Sequence, residues 1–157
     1  MYKAIVEKEE KLRRLYSHAN VMQDLDELDD EAKSEFVSYV CIRTFGYIEW
    51  SIKTILKEHV KSNMRDTQTF NYVNSQLRNL RLRRDNIIEL IGTFDRQWSE
   101  GLKTQITTDH GDSLTAIVLN RNEIAHRGDA DISLRDLEGY FVHAREVVGY
   151  VFDVCQN

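Results

Sequence analysis

Apolar side chains recur along this chain with the three- and four-residue spacing of amphipathic helices. Over residues 2–25 the recurring positions are Ile5, Leu12, Tyr16, Ala19 and Met22, with lysines and glutamates on the other faces, which predicts a first helix. The acidic run DLDELDDEAK follows, and its Asp29, Asp30 and Glu31 are placed to open a second helix, where negative charge meets the positive end of the helix dipole. As a calcium loop the run lacks the central glycine that such a loop needs. The second helix is predicted over residues 31–61, with Val37, Cys41, Thr44, Ile48 and Ile55 on one stripe. Phe36, Tyr39, Tyr47 and Trp50 lie further round, so this helix is expected to be covered on more than one side.

The periodicity stops at SNMRDTQT, read as a loop, and resumes through Phe70, Tyr72, Val73 and Leu77 to Leu80 as a shorter helix. Residues 85–101 form another helical stretch with Ile87, Ile88, Leu90, Ile91, Phe94 and Trp98 on its apolar face and Gly92 as its weak point. A penultimate helix starts near residues 109–113 and ends at Gly128, a residue suited to a left-handed cap. The last helix opens at Ser133, whose SLRD spacing is a variant of the capping box, and its stripe runs through Leu137, Phe141, Ala144, Val148, Val151 and Cys155.

Composition narrows the class. The 157 residues include no proline and 7 glycines, too few turn signals for an all-β domain. The expected fold is all-α, a bundle of about five to six helices in one domain over the whole chain. With 41% hydrophobic and 30% charged residues the chain is globular rather than disordered. A net charge of −5 excludes a protein that holds nucleic acid by a global basic field, so any basic site is local. No apolar run is long enough to span a membrane and the opening segment is too charged for a signal peptide, which points to the cytoplasm. Cys41 and Cys155 sit on helical stripes, too few for a disulfide framework and too isolated for zinc, and are read as reduced core thiols.

One stretch departs from this pattern. In RNEIAHRG, residues 121–128, Leu114, Ile117, Val118, Ile124 and Ala125 all fall within about 60° of Arg121 at about 100° per residue. A guanidinium in the middle of an apolar stripe must meet an anion, a carbonyl cluster or a water-filled cleft, because burying it unpaired would cost several kcal/mol. It is either a structural ion pair, with Glu49 as a candidate partner, or a phosphate site at a cleft or subunit interface. Asn122 and His126, spaced i, i+4, share a face beside it and add an amide and an imidazole, a group able to carry a proton near neutral pH. His126 also lies in the last turn, where the helix dipole favours imidazolium. The other histidines, His18, His59, His110 and His143, are read as structural or solvent-exposed. The densest positive charge lies elsewhere, in LRNLRLRRD, where Arg78, Arg81, Arg83 and Arg84 form either a solvated surface or a phosphate-facing edge.

RNEIAHRG following LTAIVLN resembles the R-x4-6-H motif of the HEPN superfamily of helical ribonuclease domains, specifically its RiboL-PSP-like branch, over residues 35–155. The resemblance implies a metal-independent endoribonuclease without cofactor, in which the motifs of two subunits face each other across a homodimer interface. Arg121 would stabilise the scissile phosphate, His126 would transfer a proton or orient the 2′-hydroxyl, and Asn122 would position the substrate, with Arg78, Arg81, Arg84 and Arg127 as RNA-binding candidates. Such domains serve as toxins of toxin–antitoxin pairs or as phage-defence effectors, which implies a neutralising or defence-system partner. Members regulated by nucleotide attachment carry a tyrosine two residues after the histidine, where this chain has Gly128. The alternatives are a non-catalytic module of the same fold that binds a protein or nucleotide, and a bundle in which Arg121 is paired internally.

Overall fold

The computed structural model describes residues 1–63, 67–129 and 131–156. Among them are seven helices: α1 (Lys3–Gln23), α2 (Asp30–Asn63), α3 (Thr67–Leu77), α4 (Arg84–Gly92), α5 (Arg96–Gln105), α6 (Thr108–Arg127) and α7 (Leu134–Gln156). The all-α expectation holds. The extra helix arises where a single stretch over 85–101 was expected. There Asp95 turns extended and its carboxylate accepts the amides of Gln97 and Trp98, so α5 starts afresh with its own cap. Part of the loop expected at 62–69 falls on residues 64–66, outside the described residues, while Asn63 closes α2 and Thr67 opens α3.

The long helices α2 and α7 form the spine. Tyr47 meets Phe141 edge-on and His59 contacts the Cys155 carbonyl, so the two run parallel. α1 packs antiparallel in the groove between them on one side. It is held by a stack of Tyr16 on Phe141, by the Tyr16–Thr44 hydroxyl pair at 2.7 Å, and by Tyr2 against Phe152. α6 packs against both α2 and α7 on the other side, antiparallel to α7, as the pairs Ser113–His143 and His110–Glu146 show. α3, α4 and α5 close the remaining flank, α3 against α2, α4 against α6 and α5 against α7. Fully buried side chains such as Ile48, Ile52, Leu114, Leu137 and Val148 join in one apolar cluster, the source of most of the stability.

The helix ends follow their local chemistry. The Asp29 carboxylate accepts the Ala32 amide at the start of α2, and Ser133 caps Asp136 at the start of α7. His110 completes a capping box with Thr107 and passes its other ring nitrogen to Glu146. Cys41 and Cys155 are buried as expected, and desolvation pushes their thiols up to about 11 and about 12. Gly128 ends α6 with φ of 95°, a left-handed backbone that an L side chain resists. Gly128→Ala is therefore expected to lower stability by about 1–2 kcal/mol. A thermal melt reads this as a drop of several degrees, and an unchanged melting temperature would contradict the cap assignment.

Candidate functional site

α6 is anchored to the bundle through His110, Ser113, Leu114 and Ile117, all buried. Its C-terminal half is not. Of residues 121–127 only Ile124 is buried, and it pins the last two turns to the core while every side chain around it faces solvent. Of the stripe around Arg121, Leu114, Ile117 and Ile124 are buried and Val118 is half-buried, whereas Arg121 and Ala125 are exposed.

Arg121 itself is exposed, with its guanidinium carbon 5.0 Å from the centre of the half-buried Phe45 ring of α2. One Nη donates to the Asn122 side-chain oxygen at 3.2 Å. The suggested ion pair with Glu49 does not form, because that carboxylate takes the Lys53 ammonium at 2.9 Å one turn along α2. Among the described residues Arg121 has no carboxylate partner. The cation rests on an aromatic face, a contact worth about 0.5–1 kcal/mol at an exposed site, and keeps most of its donors for another group. His126 stands exposed in the last turn beside Arg127, about 40° round the helix from Asn122. The short polar side chain of Asn122 thus lies between the two, and the three groups border one open surface at the end of α6.

The arginines at 78–84 are not part of this surface. Arg84 lies across the first turns of α6, close enough that a Cβ on Gly111 would sit 3.1 Å from its Cδ. Its guanidinium is spent on the fold, donating to the carbonyls of Ile106 and Lys103 at 2.6 and 3.0 Å and pairing with Asp85. Ten residues of helix separate Gly111 from Arg121, about 15 Å. Arg78 and Arg81 are exposed, and Arg81 borders a cleft of about 270 Å³ with Gln76, Asn79 and Asn86 between α3 and α4. Arg127 is the one member of the expected RNA-binding set that adjoins the motif. A different cationic cluster, on α1 and α2, carried no sequence signal, since Lys8 and Lys11 look like any solvated lysines of an amphipathic helix.

No group of three or more His, Cys, Asp or Glu side chains gathers into a metal-binding arrangement among the described residues. None of the described helices is long and apolar enough to cross a membrane. Comparison with curated proteins and with solved structures finds no match. The model of the RiboL-PSP-HEPN family, however, matches residues 3–157. It takes in α1, which the sequence resemblance over 35–155 left out and which the packing against α2 and α7 makes integral to the bundle. With its helical fold, its motif at the end of the penultimate helix and a family match over nearly its whole length, the chain belongs to the RiboL-PSP-HEPN family.

Proposed function

We propose that this chain is a metal-independent endoribonuclease, active as a homodimer in which Arg121, Asn122 and His126 of both protomers share one cleft. The observation that carries the proposal is the state of Arg121, which is held in place by Phe45 and Asn122 yet, among the described residues, left without a carboxylate. A structural arginine is neutralised. One that is oriented and left open suits a phosphate, which its planar fork can take through two hydrogen bonds.

In the reaction, Arg121 holds the scissile phosphate and offsets the charge that grows on its oxygens. The substrate's 2′-hydroxyl attacks the adjacent phosphorus, an intramolecular step with a large effective-concentration advantage. The partner's His126 takes that hydroxyl's proton, and water protonates the departing 5′-oxygen. The 2′-oxygen–phosphorus bond forms as the 5′-oxygen–phosphorus bond breaks, leaving a 2′,3′-cyclic phosphate and a 5′-hydroxyl.

Dimerisation is supported by the surface around the motif. Ile42, Phe45, Gly46 and Glu49 share one face of α2 at i, i+3, i+4 and i+7 spacing. Ile42 is 44% exposed, and nothing approaches within 4 Å of where a Gly46 side chain would stand. An isologous contact over this face brings two copies of the motif together and supplies the enclosure that a single exposed helix end lacks. The cellular role that fits is a toxin or phage-defence effector restrained by a partner protein.

The test is cleavage of RNA by purified protein in excess chelator, with end-group analysis and a matched substrate carrying one 2′-deoxy residue at the mapped cut. The expected result is cyclic phosphate ends and no cut at the deoxy position. Cleavage there, or activity lost on chelation and restored by magnesium, would refute the mechanism. Binding of a protein or nucleotide without cleavage would identify a non-catalytic module of the family.

A further inference from the structure

The cleft between α1 and α2 gathers three cations that no carboxylate among the described residues neutralises. Lys8 and Lys11 project from one face of α1 and Arg43 from α2, and with the side chains of Tyr39 and Tyr47 they line a concavity of about 130 Å³. Two of the three are held by aromatic rings rather than by counter-ions. The Lys8 ammonium lies 4.3 Å above the Trp50 ring. The Arg43 guanidinium carbon is 5.8 Å from the centre of the Tyr39 ring and one of its nitrogens meets the Tyr39 hydroxyl at 3.5 Å. The nearby acids are occupied: Glu9 accepts from Arg13, Arg145 and Tyr47, and Glu49 pairs with Lys53. Among the described residues Lys8, Lys11 and Arg43 make no ion pair. Burial and the Arg43 charge together push the Lys8 ammonium below its ordinary value. Like charges held together without a counter-ion are stabilised by an arriving anion.

The position of the cluster says which anion. α2 has two edges on this side of the molecule. Phe45, under Arg121, lies on one, and Arg43 lies about 160° round the helix on the other. Exposed Tyr39 lies between them beside Ile42 and the half-buried Gly46, which form the rim of the face assigned to the dimer contact, so a strand leaving the shared cleft passes along that rim. Across a helix about 10 Å wide, the cluster stands on the order of 10–15 Å from the motif, a span of a few nucleotides. We infer that Lys8, Lys11 and Arg43 form a docking site for the phosphate backbone of the RNA strand whose scissile phosphate lies at Arg121.

The inference rests on the endoribonuclease reading for the identity of the ligand, and it casts the three cations as positioning residues. The experiment follows binding of a short fluorescent 2′-O-methyl RNA, which cannot be cut through its 2′-oxygens, by anisotropy over a range of salt concentrations. Wild type is compared with Lys8→Gln/Lys11→Gln/Arg43→Gln and with Arg78→Gln/Arg81→Gln, each checked by thermal melting. Losing three phosphate contacts is expected to weaken binding by about tenfold or more at low salt and to make the log–log salt slope shallower by about 2. The Arg78/Arg81 variant is expected to bind like wild type. The single variant Lys11→Gln, at an exposed helix position, is expected to make the slope shallower by about 0.7, and it decides the matter if the triple glutamine variant does not fold. On cleavable RNA the glutamine variant raises KM and leaves kcat near wild type. An unchanged salt slope, or no RNA binding by wild type, overturns the inference. Absence of cleavage with the slope change intact overturns only the catalytic reading.

Discussion

His126→Ala is expected to slow RNA cleavage by about 10²–10⁴-fold, the usual contribution of a positioned proton-transfer group. Arg121→Ala is expected to slow it by about 10²–10³-fold, the effect of removing one donor from a developing oxyanion. Neither should cost much stability. Both side chains are exposed, His126 makes no hydrogen bond among the described residues, and Arg121 gives up a single contact with a ring and one bond to Asn122. Near-wild-type melting with lost cleavage therefore separates a catalytic role from a structural one. Mixing the two inactive variants gives a sharper test. If each cleft draws its arginine and histidine from different chains, mixed dimers regain a working pair, and random reassortment restores about a quarter of the activity. No recovery on mixing, with wild type fully active as a dilute monomer, would eliminate the shared cleft.

Glu9→Ala is expected to be the most destabilising single change at a charged residue. The carboxylate of Glu9 is 17% exposed and ties three helices together. It accepts from Arg145 of α7 at 2.6 Å, from Arg13 of α1 at 2.8 and 2.9 Å, and from the Tyr47 hydroxyl of α2 at 3.1 Å. Removing it leaves Arg145 and the buried Tyr47 hydroxyl without their acceptor, a loss of about 2–3 kcal/mol, allowing for the solvent that reaches Arg13. That corresponds to a melting temperature lower by about 5–10 °C. Burial alone would raise the Glu9 carboxyl, but the hydrogen bonds from Arg13 and Arg145 outweigh it and hold its pKa below the ordinary 4.5. Because the folded value is depressed, the stabilisation is fully present above about pH 4.5 and is lost as pH falls through the folded value. The gap between wild type and Glu9→Gln, followed by denaturant melts across this range, should be constant near neutral pH and close in acid. A gap independent of pH would show that the carboxylate's charge contributes nothing.

Much of the architecture was legible in the chain. The stripe through Leu137, Phe141, Ala144, Val148, Val151 and Cys155 became the buried face of α7, and Gly128 and Ser133 mark the turn between α6 and α7 as their chemistry requires. These features are local, set by periodicity and by backbone groups within one turn. The break between α4 and α5 was missed because Asp95 can stand in a helix or start one, and the choice lies with the surroundings that let its carboxylate turn back to Gln97 and Trp98.

The motif was legible as a string, RNEIAHRG, and its place before the last helix could be read from spacing alone. Its environment could not. A helical wheel places Arg121 among apolar neighbours but carries no information on what lies across from it, and in the fold Arg121 rests over the half-buried Phe45 ring in contact with water rather than paired inside the core. Charge density along the chain likewise pointed to residues 78–84, while tertiary packing commits Arg84 to the carbonyls of Lys103 and Ile106 at the end of α5. The same packing gathers Lys8, Lys11 and Arg43, from helices remote in sequence at that point, into one cleft. The sequence determined the helices and their caps because those depend on interactions within a few residues. Which cations meet, and which stay open, was decided by the antiparallel docking of α1 on α2 and by the aromatic ring that α2 sets beside Arg121, because electrostatic partnership depends on distance in space and not along the chain.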